Sequence, residues 1–99
     1  MTTCLTLEEV RHNIDRLDRQ LLGLIAERGR YVAQAARFKK SADEVAAPVR
    51  VAQVMNRLLA LAPEYGADPH VVEATWRAMI GAFIEAEQIA HAALHPPQP

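Results

Sequence analysis

Two cations in the stretch RGRYVAQAARFKK, Arg28 and Lys39, are eleven residues apart and separated mainly by small side chains. On a helix, eleven steps of about 100° return to within about 20° of the same face, roughly 16 Å further along. Arginine offers a carboxylate two parallel N–H donors, and lysine offers a mobile point charge. Such a pair suits the two ends of a small dianion. Arg11 is a third candidate beside the apolar positions. It lies seventeen residues before Arg28, roughly 25 Å along a straight helix, so it reaches the same small ligand only from a second chain packed antiparallel. Near the other end of the sequence, Glu87 and Gln88 follow an apolar stripe. A carboxylate there is costly unless it is paired, protonated or beyond the core. The competing reading is that Arg11, Arg28 and Lys39 are three of the eight basic residues over 11–40, most of them solvated and offset by Glu8, Glu9, Asp15, Asp18 and Glu27.

These side chains need three helices to position them. Residues 6–39 contain no proline and open with a capping box, Thr6 and Glu9. Leu7, Val10, Ile14, Leu17, Leu21, Leu24 and Ile25 then recur at helical spacing. Gly23 and Gly29 each cost about 1 kcal/mol against alanine, but the periodicity continues across both, so one helix is expected over 6–39. SADEVAA, 41–47, reads as a loop that gates access to the site. Pro48 starts a second helix, expected over 48–65, and Asp68-Pro69 starts a third, expected over 69–94. Residues 95–99 read as a disordered tail. The fold class is all-α, in a single domain over 1–99. A first helix of about 50 Å overhangs any core whose radius of gyration is about 13 Å. Its stripe therefore calls for a second copy, in an intertwined homodimer. The alternative is a monomer kinked near Gly29, although glycine alone seldom kinks a helix.

Composition excludes several classes. The chain has 99 residues, is 51% apolar and carries a formal charge of −1, which fits a globular domain and not a nucleic-acid binder. No apolar run reaches the roughly 20 residues of a membrane helix, and MTTCLTLEE lacks the pattern of a signal peptide. A single cysteine, Cys4, cannot form an internal disulfide, so a cytoplasmic setting is expected. His91 and His95 are four apart, but no HExxH-type pattern accompanies them, and no metal site is expected.

Taken together, IDRLDRQLLGLIAER, the basic residue after RF, and PVRV resemble the all-helical chorismate mutases, including their isochorismate-pyruvate lyase-like members. The resemblance runs from about Leu7 to Ala90 and is most specific in Arg11, Asp18, Arg28, Lys39 and Arg50. It implies an intertwined dimer with two equivalent sites and no cofactor. Arg28, with Arg11 from the other subunit, would bind two carboxylates. Lys39 would meet the ether oxygen and one carboxylate, and Arg50 would help close the site. The family's glutamine near the end of the third helix falls on Glu87; moving it to Gln88 rotates the side chain by about 100° and breaks the alignment of Phe83. An ionised carboxylate only accepts hydrogen bonds, so Glu87 must carry a proton to serve an ether oxygen. Val49 stands where many relatives carry a glutamate that meets the substrate hydroxyl.

The resemblance therefore implies rearrangement of chorismate to prephenate, with catalysis by conformational restriction and by cations placed at the breaking C–O bond. Ile14, Val32, Met79 and Phe83 would wall the slot against water. Elimination of pyruvate from isochorismate, giving salicylate, uses similar charges and is the alternative. A non-catalytic dimerisation module is the other, and it is favoured by Glu87 and Val49.

Overall fold

The first helix begins where the capping residues put it. In a computed structural model that describes residues 3–94, the Glu9 N–H donates to Thr6 Oγ1 at 3.1 Å, and Glu9 Oε2 accepts from the Leu5 N–H at 2.8 Å. The first bond satisfies a backbone donor that the first turn leaves without an intrahelical partner, and the second ties the residue before the cap to the same glutamate. α1 spans Leu7–Ala36 and runs unbroken through Gly23 and Gly29. It ends three residues before the expected limit. The N–H groups of Arg37, Phe38 and Lys39 donate to Gln34, Ala35 and Ala36, tightening the chain into i→i−3 turns. Lys39 therefore lies outside α1, and the expected helical alignment of Arg28 with Lys39 does not hold.

Residues 41–47 are not a loop. They contain α2, Ala42–Ala46. Its start repeats the chemistry of α1. The Glu44 N–H donates to Ser41 Oγ at 3.2 Å, while Glu44 Oε2 accepts from the Lys40 N–H. SADE is thus a second capping box, and the apolar run behind it is too short to show a period.

α3, Pro48–Leu61, starts with proline at its first position. It stops four residues short of 65, since Pro63 has no N–H to continue the ladder. The Ala62 N–H still reaches Leu58 O at 2.9 Å, and a turn through Gly66, at φ 66°, follows. α4, Pro69–Leu94, begins as expected, with Asp68 Oδ1 accepting from the His70 N–H at 2.8 Å. The described residues thus form an all-helical chain of three long helices and one short one. The expected tail, 95–99, and His95 lie outside the described residues.

The chain divides into two compact units, one ending at Val32 and the other beginning at Ala33. The first is built on α1, and no side chain of α1 is buried. Its stripe is solvated, with Leu17 46% and Leu24 61% exposed. The second unit has a core. Val45, Met55, Ala62 and Ile80 are buried in it, supplied by α2, α3, the turn after α3, and α4. α2 and α3 both pack on α4. A fully buried valine or methionine contributes about 1.5–3 kcal/mol.

One residue works against local preference. Ala47, between α2 and α3, is left-handed at φ 39° and ψ 59°. An L-residue there costs about 1–2 kcal/mol, and the following proline disfavours helical backbone as well. Glycine at this position relieves the strain but adds freedom to the unfolded chain. We therefore expect Ala47→Gly to stabilise the protein by about 0.5–1 kcal/mol, and Met55→Ala to destabilise it by about 2–5 kcal/mol, both measured by chemical denaturation.

Candidate active site

α4 presents one inward face. Trp76, Met79, Phe83, Ile84, Glu87 and His91 are half-buried at three- to four-residue spacing, and Ile80 among them is buried. Glu87 brings a carboxylate to this face. The Gln88 side chain, about 100° further round the helix, is exposed.

The partner of Glu87 comes from the turn after α1. Lys39 Nζ donates to Glu87 Oε2 at 3.2 Å, across forty-eight residues of sequence. The lysine side chain is 23% exposed and the glutamate 9%. This is the ordinary solution for a carboxylate among apolar neighbours: its charge is matched and one oxygen lone pair is satisfied. A second ion pair, Arg77 with Glu73, is an exposed i,i+4 contact on α4 and contributes little.

The remaining candidates fall as follows. Arg50 is the third residue of α3 and is exposed, as is its neighbour Val49. In the other unit, Arg28 is half-buried on α1 and Arg11 is exposed near its start. Of the apolar residues expected to wall the site, Met79 and Phe83 are half-buried on α4, Val32 is half-buried, and Ile14 is exposed. Lys39 and Glu87 are thus the two predicted site residues that direct contact brings together within one unit. Sequence reasoning missed α2, whose Val45 is 2% exposed and the most buried side chain among the described residues. The available signal was S-x-x-E followed by valine. Among the described residues no cluster of three or more His, Cys, Asp or Glu is placed to hold a metal ion, and no helix is long and apolar enough to cross a membrane.

Comparison with known proteins decides the family. The sequence profile of chorismate mutase type II matches residues 10–88, most of the chain. The chain belongs to the chorismate mutase type II family. The matched span contains Arg11, Arg28, Lys39, Arg50 and Glu87. Among curated relatives, an isochorismate pyruvate lyase of Pseudomonas aeruginosa is 36% identical over 88 residues, covering 89% of this chain and 86% of the relative. Membership in the chorismate mutase type II family and this relative together support an enzyme of chorismate-related chemistry.

The uneven burial of the ion pair predicts uneven costs. Deleting Lys39 strands a nearly buried carboxylate, whereas deleting Glu87 leaves a lysine whose long stem can carry its charge to water. Lys39→Ala should therefore destabilise more than Glu87→Ala. A double-mutant cycle should give a coupling of about 1–2 kcal/mol, between the values typical of exposed and buried pairs. Coupling below about 0.3 kcal/mol in denaturation experiments contradicts this reading.

Proposed function

We propose that this chain is a chorismate mutase, catalysing the [3,3] rearrangement of chorismate to prephenate as an intertwined homodimer. The observation that carries the reading is Lys39, held at Glu87 on the inward face of α4, in a chain of this family.

The reaction breaks a C–O bond while a C–C bond forms, and it needs no nucleophile, metal or cofactor. Its substrate is a flexible dianion. Arg28, and Arg11 from the second copy, hold the two carboxylates. Lys39 donates to the ether oxygen as that atom gathers negative charge, and Arg50 helps close the site. Fixing the folded conformer removes much of the entropic barrier, and preorganised cations favour the polarised transition state over the ground state. Met79 and Phe83 limit water on the α4 side.

Glu87 gives this chain a distinct proton requirement. In the empty site its carboxylate accepts from Lys39. Facing an ether oxygen, which also only accepts, it must be protonated to donate.

The solvated apolar stripe of α1 supports the dimer. A second copy of the same helix, packed antiparallel, supplies complementary apolar surface and brings Arg11 of one chain towards Arg28 of the other. The single cysteine suits a reducing cytoplasm, where we place the protein.

Isochorismate-pyruvate lyase activity is the second reading, favoured by the 36% identical relative of that name and by Val49 at the hydroxyl-contact position. It uses the same cations on an equally charged substrate.

One experiment separates these readings: chorismate and isochorismate are offered to the purified protein, and prephenate and salicylate are measured. The mutase reading expects prephenate as the main product. Salicylate as the main product supports the lyase, and the absence of both supports a non-catalytic module. For the favoured substrate, Lys39→Ala and Arg28→Ala should each lose about 3–4 kcal/mol of transition-state stabilisation. Glu87→Gln, a donor in every ionisation state, should keep or raise the wild-type rate. A Glu87→Gln rate at least tenfold below the wild type contradicts the role given to Glu87.

A further inference from the structure

Lys39 reaches Glu87 from an irregular turn, and a lysine side chain is a flexible four-carbon stem. Something must hold its backbone. α1 has ended at Ala36, and α3 begins only at Pro48. The intervening segment contains α2, which has five residues, far too few for a helix to persist by itself in water.

Three observations show what holds it. α2 packs on α4, the helix that carries Glu87. Its Val45 is 2% exposed, the most buried side chain among the described residues. At the far end the chain leaves through Ala47 in the left-handed conformation directly before Pro48. A residue persists in such backbone only where its surroundings over-determine it. Of the two capping bonds, Ser41 Oγ accepts from the Glu44 N–H, and Glu44 Oε2 accepts from the Lys40 N–H, which joins α2 to the residue next to the lysine at issue.

We propose that Val45 is a positioning residue for Lys39: buried as α2 packs on α4, it pins a strap whose other end presents the Lys39 ammonium at Glu87. The inference rests on the function proposed above, since it concerns how Lys39 is aimed at an anionic substrate. Val45 touches no reacting atom in this account. It acts by removing the freedom of the backbone from which Lys39 extends. A charge misplaced by about 1 Å is enough to cost a large factor in rate. Productive use of Lys39 thus depends on an apolar contact six residues away.

The sequence makes a direct test possible, because Lys39 and Lys40 are its only lysines. Limited acylation of the folded protein with an amine-reactive acetate ester, read by peptide mass spectrometry, compares a paired lysine with its exposed neighbour in one sample. In the wild type Lys39 should react at least tenfold more slowly than Lys40. Val45→Ala should bring the two rates within about threefold, and Val45→Ile should retain the wild-type ratio. On whichever of chorismate or isochorismate is turned over, Val45→Ala should lose at least tenfold in kcat/KM, mostly in kcat, with recovery in Val45→Ile. Circular dichroism at the assay temperature checks that each variant is folded, and Val45→Thr replaces Val45→Ala if the latter is not.

An unchanged acylation ratio in a folded Val45→Ala or Val45→Thr protein overturns the proposal, as does unfolding of both variants. Turnover by the wild type together with an unmoved ratio overturns the strap alone. A ratio that responds to Val45 in a protein that turns over neither compound supports the strap and overturns the functional reading instead.

Discussion

A carboxylate on an apolar helix face needs a cation, and the arrangement of Ala33 onward follows from how this chain supplies one. Glu87 shares its face of α4 with Trp76, Met79, Ile80, Phe83 and Ile84. It is matched by Lys39, which arrives from a turn forty-eight residues earlier. That contact is made from beyond the end of α1, by a lysine outside helical geometry. The chain then packs on α4 again, through α2, before α3 starts. α2 supplies the fastening, and the left-handed Ala47 absorbs the change of direction.

The other unit presents the opposite condition. α1 has a long apolar stripe and buries none of its residues. Thirty residues of helix with that exposure leave a large favourable burial term unused by the chain. In the dimer proposed above a second copy covers this surface, and the cations along it become shared groups. In the proposed dimer the divided site ties catalysis to assembly, because neither chain alone would bring Arg11 and Arg28 to one ligand.

Much of this was legible in the sequence, and the failures have local causes. The helix starts were readable because capping is chemistry of single residues: Thr6 with Glu9, Pro48, and Asp68 before Pro69 all act where their types imply. The helix ends were less readable. α1 stops at Ala36 with no proline or glycine to mark it, and its last turns tighten gradually. α3 stops at Leu61 because of Pro63, a stronger signal than the Gly66 taken as its limit. α2 was hidden because five residues cannot display a period, although SADE followed by valine spells a capped helix start. At the site, matching the apolar stripe selected Glu87 over Gln88, and in the structure Glu87 is the one on the inward face. The contact with Lys39 was not derivable from helix geometry, since Lys39 is not on a helix. What either residue does to a substrate belongs to the proposal.

The most direct test is a crystal structure with a bicyclic analogue of the rearrangement's transition state. Our account predicts a dimer in which one ligand is held by Arg28 of one chain and Arg11 of the other. The Lys39 ammonium reaches the ligand's ether oxygen, and the carboxyl group of Glu87 lies beside the same atom. A ligand contacted by one chain alone, or bound at a distance while Lys39 keeps its contact with Glu87 undisturbed, contradicts the account.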